Sequence, residues 1–184
     1  VDNNYTPRTL GLYAYRNIII DHANIIAHDS DSPLSIELSS GMSAITALGN
    51  TYYYAPWNDA VLLYAPTAEN PITTNDEKLA ASKVPGSGGY VSITDSNIYT
   101  KGGSITIGGQ GYYGFAVGDA TNAGVLIKDS SIYTGGDNMS GDITIRGANT
   151  STGDGVRLDH AQLLTTRLDS IAYAGNGADV TILG

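Results

Sequence analysis

The sequence repeats one ten-residue phrase four times, and this repetition constrains the fold more than any other feature of the chain. The copies are IIIDHANIIA from Ile18, VSITDSNIYT from Val91, VLIKDSSIYT from Val125 and VRLDHAQLLT from Val156. Each has apolar residues at its first and third positions, a polar corner, and an apolar residue seven positions after the first. From Val91 onward the copies recur at intervals of 34 and then 31 residues. Recurrence at such intervals is typical of a solenoid.

The step from Ile18 to Val91 is about twice as long, which predicts a degenerate copy between them. Residues NDAVLLY, beginning at Asn58, resemble NAGVLIK, beginning at Asn122. We therefore expect a further coil at Val61, giving a solenoid of about five coils.

The local period of each copy predicts strands. Apolar residues recur at every second position, as at Val91 and Ile93 or Val125 and Ile127, which is the period of a strand with one buried face. A second strand motif follows the later copies as SITI, DITI and DVTI, each flanked by glycine. Glycine supplies the backbone freedom that corners between strands require. The sequence therefore predicts an all-β solenoid and excludes helical repeats.

Alignment of the copies predicts columns of equivalent side chains. The inward apolar column is Ile25, Ile98, Ile132 and Leu163, and the inward small column is Ala27, Thr100, Thr134 and Thr165. A polar column of Asn24, Asn97, Ser131 and Gln162 is expected to form a hydrogen-bonded ladder, because stacked polar side chains can satisfy one another. The interleaved column of Ile26, Tyr99, Tyr133 and Leu164 is expected to face outward.

Two segments interrupt the repeat, and we expect both to leave the coil as insertions. The first is TYYYAPW, from Thr51 to Trp57. The second is 66–89, which contains three prolines and a GSGG run and in which Thr74 and Glu77 suggest the capping box of a short helix. We otherwise predict a single β-helix domain over 1–184, as a segment of a longer chain or a stacking subunit.

Composition limits the classes of function. The chain of 184 residues has no cysteine, so disulfides and thiolate chemistry are excluded. A formal charge of -9, with only nine basic residues, argues against a nucleic-acid partner, because such binding depends on cations that neutralise phosphates. No stretch reaches the roughly 20 apolar residues that span a bilayer, so we predict that the chain is not membrane-spanning.

The glycine-flanked SITI and DITI motifs, alternating with VLIKDSSIYTGG, resemble the β-helical stalks of bacterial exoproteins. The similarity is to filamentous-haemagglutinin-like proteins of two-partner secretion and to autotransporter passenger domains, and it extends over Tyr90 to Gly184 and more loosely over Gly11 to Ala65. It implies a right-handed parallel β-helix, an extracellular or bacterial outer-surface location, and a non-enzymatic role as adhesin or structural stalk. The implied partners are a host or neighbouring-cell surface glycan or protein, or other copies of the chain end to end.

Carbohydrate-active enzymes and tailspike-like modules also use this fold, and they form an alternative. Such an enzyme needs carboxylates that converge within about 10 Å. The pairs Asp21-His22 and Asp159-His160 recur with the repeat, and we expect aspartates at repeated corners to cap turns. Because adjacent strand residues point to opposite faces, neither histidine is expected to be oriented by its neighbour. No catalytic residue, metal ligand or cofactor is assigned. A self-assembling extracellular fibre subunit is a further alternative.

The aromatic segment supplies the predicted binding residues. Tyr52, Tyr53, Tyr54 and Trp57 lie within six residues, and planar rings of this kind stack on the apolar faces of sugars and dominate recognition surfaces. We predict that these four side chains bind carbohydrate or a protein partner.

Overall fold

The computed structural model describes residues 8–14, 16–28, 32–41, 44–47, 50–55, 60–63, 89–109, 114–136, 139–166 and 178–184. These residues form an all-β structure without a helix. Among these described residues, no helix is long and apolar enough to cross a membrane. The short helix predicted within 66–89 falls outside these ranges and stays a prediction.

Three parallel sheets make up the solenoid. Sheet A contains β1 (Arg8–Tyr13), β4 (Leu34–Ser40), β10 (Ile105–Gly109), β14 (Ile143–Asn149) and β17 (Val180–Leu183), with β11 (Ala116–Gly118) paired to the end of β14. Sheet B contains β2 (Ile18–Asp21), β8 (Val91–Thr94), β12 (Val125–Lys128) and β15 (Val156–Asp159). Sheet C contains β3 (Asn24–Ile26), β9 (Asn97–Tyr99), β13 (Ser131–Tyr133) and β16 (Gln162–Leu164).

The chain visits sheets A, B and C in turn and then returns to A, so each strand pairs with its equivalent in the next coil. In sheet B the first residues of all four phrases are in register, running from Ile18 through Val91 and Val125 to Val156. Sheet C continues the same register through Ile25, Ile98, Ile132 and Leu163. The prediction that the phrase marks successive coils of an all-β solenoid is confirmed at these four copies.

The predicted coil at Val61 is wrong. Ile18 in β2 pairs directly with Val91 in β8, and no strand lies between them in sheet B. Val61 instead belongs to a separate antiparallel sheet D, where it pairs with Tyr54. Sheet D contains β5 (Ala44–Ala47), β6 (Asn50–Ala55) and β7 (Ala60–Leu63).

The inside of the solenoid is a continuous apolar core flanked by threonines. Ile98 and Ile132 are fully buried, as the predicted apolar column requires. Thr100 and Thr134 are also fully buried, and each hydroxyl donates a hydrogen bond to a glycine carbonyl, at Gly103 and Gly141 respectively. An unsatisfied buried hydroxyl costs about 1–3 kcal/mol. Because both of these hydroxyls are hydrogen-bonded, the column tolerates threonine in a buried position.

The outward-facing column is also confirmed. Ile26 is 59% exposed, and Tyr99 and Tyr133 are half-buried on the same side of sheet C. In the polar column, the Asn97 amide donates to the Asn24 side-chain oxygen at 3.0 Å. The ladder is therefore present between the first two of its four members, and Gln162 instead accepts a bond from the Tyr133 hydroxyl at 2.8 Å.

The chain leaves the solenoid at Gly41 and rejoins it at Gly89, and we call the intervening residues 42–88 the inserted segment. The two glycines are in backbone contact: a Cβ on Gly89 would lie 2.4 Å from the Gly41 nitrogen. The Ser40 hydroxyl donates to the Gly89 carbonyl at 2.6 Å, and the Gly41 amide donates to the Arg16 carbonyl at 2.8 Å. Gly41 has φ +68, a value that favours glycine. Both ends of the segment are thus fixed at one corner.

Candidate functional site

The corner between sheets B and C carries a column of aspartate and histidine side chains, which we call the Asp-His corner. Its members are His22, Asp95, Asp129 and His160. All four have positive φ, between 46° and 51°, which is the left-handed conformation in which Asp and His are enriched among non-glycine residues. A single left-handed residue turns the chain from one sheet into the next, so the sequence places Asp or His at the same offset in every copy.

Buried serines complete this corner, a role that the sequence pattern did not indicate. The Ser96 hydroxyl accepts from the Ala23 amide at 3.0 Å and donates to the Thr94 carbonyl at 2.6 Å. The Ser130 hydroxyl repeats the arrangement, accepting from the Ser96 amide at 3.0 Å and donating to the Lys128 carbonyl at 2.6 Å. The serines therefore join successive coils, and the aspartates are left free to face solvent.

The expectation that each histidine lies away from its own aspartate is wrong. His22 Nδ1 lies 3.0 Å from Asp21 Oδ1, and His160 Nδ1 lies 3.0 Å from Asp159 Oδ1. The alternation of a strand does not apply at this point, because the histidine is the left-handed corner residue rather than the next strand residue. Each pair therefore presents an imidazole and a carboxylate on the same side of the chain.

Contacts between coils extend the first of these pairs. The Thr94 hydroxyl donates to Asp21 Oδ1 at 2.6 Å, and His22 Nε2 lies 4.0 Å from Asp95 Oδ2. One donor atom from each of Asp21, His22 and Asp95 lies within 4.8 Å of the others. All three side chains are exposed. Residues 73 positions apart in the sequence are thus brought together by the stacking of coils.

The electrostatics of this group favour a charged pair. The Thr94 hydrogen bond, followed by the His22 hydrogen bond, holds the pKa of Asp21 below its usual value. The hydrogen bond to Asp21, followed by the charges of Asp21 and Asp95, raises the pKa of His22. These directions stabilise carboxylate and imidazolium together.

The outer face of sheet C is a second candidate surface, which we call the tyrosine face. The Tyr99 and Tyr133 ring centroids are 4.9 Å apart with the planes inclined at 44°. The polar column of Asn97 and Ser131 runs beside them, two residues earlier on each strand. Aromatic rings flanked by amide and hydroxyl groups combine apolar contact area with hydrogen-bonding capacity, which suits carbohydrate or protein ligands.

The four binding residues predicted from the sequence do not belong to these surfaces. Tyr52, Tyr53 and Tyr54 lie in β6, the central strand of sheet D, and Trp57 lies outside the described residues. The structure places the three tyrosines in the inserted segment, outside the parallel sheets. Their role in binding stays a prediction.

The turn between β11 and β12 carries a carboxylate with a strongly lowered pKa. Asp119 Oδ1 accepts hydrogen bonds from the Thr121 amide at 2.8 Å and the Asn122 amide at 2.9 Å. The backbone bond from Thr121, together with its hydroxyl and the bonds from Asn122, lowers the pKa of Asp119 to about 2. The ionised carboxylate therefore stabilises this turn.

We expect the contribution of Asp119 to stability to disappear in acid. Because its pKa is lower in the folded chain than in the unfolded chain, the stabilisation is complete above about pH 4 and is lost as pH falls towards about 2. Asp119→Ala should lower the melting temperature at neutral pH and have a much smaller effect near pH 2. Thermal unfolding of both proteins across this range measures the difference, and a pH-independent gap would contradict the assignment.

Comparison of the chain with protein-family models, curated proteins and solved structures finds no match.

Proposed function

We propose that this chain is a right-handed parallel β-helix that acts as the non-enzymatic stalk of a bacterial cell-surface or secreted adhesin. The observation that supports it most is the in-register stacking of the four phrases, from Ile18 to Val156. Successive coils are held together by buried isoleucines and threonines and by hydrogen bonds to the corner serines. An architecture that extends by repetition suits a stalk, because each coil needs only its neighbours for stability.

The inserted segment and the tyrosine face are the proposed binding elements. Residues 42–88 leave and rejoin the stalk at a single corner, so their sequence can vary without disturbing the stacked coils. Tyr52, Tyr53, Tyr54 and Trp57 supply aromatic area in this segment, and Tyr99 and Tyr133 supply it on the stalk. The proposed partner is a glycan or protein on a host or neighbouring cell, and the proposed location of the chain is the bacterial outer surface or the extracellular space.

A carbohydrate-active enzyme is a second candidate, and one specific observation favours it. Donor atoms of the Asp21 and Asp95 carboxylates lie within 4.8 Å of each other, so the two converge within the limit of about 10 Å that glycosidic cleavage requires. The electrostatics oppose it, because a general acid requires a raised pKa and that of Asp21 is lowered. Both side chains are also exposed at a corner, where water is not excluded.

A glycan-array and cell-binding screen tests the proposed function. We expect the purified chain to bind a defined glycan or surface protein without altering it, and Trp57→Ala or Tyr53→Ala to weaken that binding by at least ~10-fold, as for an aromatic hot spot. Tyr133→Ala separates the contribution of the tyrosine face from that of the inserted segment. Release of shortened glycan would contradict the non-enzymatic proposal and favour the second candidate, and unchanged binding in all three variants would exclude both aromatic surfaces.

A further inference from the structure

The His22 imidazole lies between carboxylates of two successive coils, and its two nitrogens have different relations to them. Nδ1 is at hydrogen-bonding distance from Asp21 Oδ1, at 3.0 Å. Nε2 faces Asp95 Oδ2 at 4.0 Å, which is too long for a hydrogen bond. The ring is therefore oriented by Asp21 through one nitrogen, while the other nitrogen and an oxygen of Asp95 face each other across a wider separation.

We propose that His22 Nε2 and Asp95 Oδ2 bind a divalent transition-metal ion of the zinc type, with Asp21 as the residue that positions the imidazole. Nitrogen and oxygen ligands lie about 2.0–2.2 Å from zinc, so two of them at the tetrahedral angle are about 3.4 Å apart. Nε2 and Oδ2 need to approach by only about 0.6 Å to reach that separation. Imidazole combined with carboxylate suits zinc, copper and nickel better than calcium or magnesium.

The fold holds both ligands in place before an ion arrives. His22 and Asp95 are the left-handed corner residues of adjacent coils, with φ of 49° and 46°, so their Cα–Cβ bonds leave the backbone in corresponding directions. Asp21 is itself fixed by the Thr94 hydroxyl at 2.6 Å. A carboxylate that holds the second nitrogen of a ligating histidine is a recurrent feature of zinc sites and increases ligand basicity. Solvent supplies the remaining coordination positions at this exposed corner.

The His160 pair is an internal comparison that lacks this geometry. His160 Nδ1 lies 3.0 Å from Asp159 Oδ1 and also 3.5 Å from Asp129 Oδ1, so one nitrogen faces both carboxylates. The Lys128 ammonium lies 3.8 Å from Asp129 Oδ2 and opposes the approach of a second cation. The difference follows from position, because the stacked aspartate belongs to the following coil for His22 and to the preceding coil for His160.

Zinc titration of the full chain without a polyhistidine tag tests the proposal, with histidine side-chain nitrogen resonances observed by NMR. We expect saturable shifts at His22 and at most weak, non-saturating shifts at His160. His22→Asn and Asp95→Asn should abolish the saturable binding, and asparagine tolerates the left-handed backbone at both positions. Asp21→Ala should weaken binding by about 10–100-fold, the usual effect of removing an orienting carboxylate.

The matched controls are His160→Asn and Asp129→Asn, which change the same residue types at the same offset in other coils and should leave zinc affinity unchanged. Circular dichroism confirms that each variant keeps its strands. Equal shifts at His22 and His160, or wild-type affinity in either His22→Asn or Asp95→Asn, would overturn the proposed site. An unchanged affinity in Asp21→Ala alone would remove its positioning role.

Discussion

Removal of residues 42–88, with Gly41 joined directly to Gly89, is expected to leave the solenoid folded and to abolish any ligand binding that depends on the inserted segment. The reason is the length of the corner that remains. Tyr13 pairs with Ser39 in sheet A, and Ile18 pairs with Val91 in sheet B. In the first coil four residues, 14–17, connect these two positions. In the shortened second coil four residues, 40, 41, 89 and 90, connect the equivalent positions.

The geometry at the junction and the loss of loop-closure entropy both favour folding of the shortened chain. The Gly41 and Gly89 backbones already touch, and both pack against the Arg16 carbonyl region of the preceding coil. Deletion of a long excursion removes its loop-closure entropy, which grows as about 1.5RT ln n for n residues. The melting temperature of the shortened chain should therefore equal or exceed that of the parent.

A deletion that differs by one residue is the control. Joining Ser40 to Gly89, so that Gly41 is also removed, leaves three residues in the corner and forces sheet B out of register with sheet A. A slip of one residue exchanges the buried and exposed faces of a strand, so this variant should lose cooperative unfolding. Circular dichroism and thermal unfolding compare the two deletions, and glycan or cell binding tests the correctly joined one. Equal stability of the two variants would show that Gly41 and Gly89 do not define the junction.

The success of the column predictions has a simple physical origin. The apolar positions at Ile98 and Ile132 and the small positions at Thr100 and Thr134 recur because each coil must fit the cross-section of the one before it. This constraint acts on every copy and leaves a pattern in the sequence. Register in sheets B and C could therefore be predicted from the phrase alone.

The prediction of a coil at Val61 was wrong, and the sequence itself contains the reason why no coil forms there. In the true copies the fifth residue is the left-handed Asp or His, and the amide of the sixth donates to a serine hydroxyl of the next coil at Ala23 and Ser96. The equivalent positions after Val61 are Ala65 and Pro66. Proline has no amide to donate, so the corner cannot form there.

The clustering of Asp21, His22 and Asp95 could not be predicted from local spacing. It depends on two facts that the sequence does not state: that β2 stacks directly on β8 across the inserted segment, and that the corner residue departs from strand alternation. Repetition of Asp or His at one offset indicated the second fact. The first required the fold, because the assumed intermediate copy separated Asp21 from Asp95 by a full coil.

Ile132→Ala is expected to destabilise the chain more than truncation of Ile25 or Ile26 in the same sheet. Ile132 is fully buried and is paired on both sides, with Ile98 in the preceding coil and Leu163 in the following one. Truncation of such a residue removes apolar burial and leaves a cavity, which together cost about 2–5 kcal/mol. Because a solenoid is held together by contacts between neighbouring coils, the loss affects two interfaces at once.

Two controls in the same sheet separate burial from position. Ile26→Ala removes a side chain that is 59% exposed and should change the free energy of unfolding by no more than about 0.5 kcal/mol. Ile25→Ala lies in the same column as Ile132, but among the described residues it is paired on one side only, with Ile98, and it is half-buried. Urea unfolding followed by circular dichroism should therefore rank the losses as Ile132 above Ile25 above Ile26. An equal loss for Ile132 and Ile25 would mean that stability does not depend on contacts to both neighbouring coils, and the nearest-neighbour description of this solenoid would have to be abandoned.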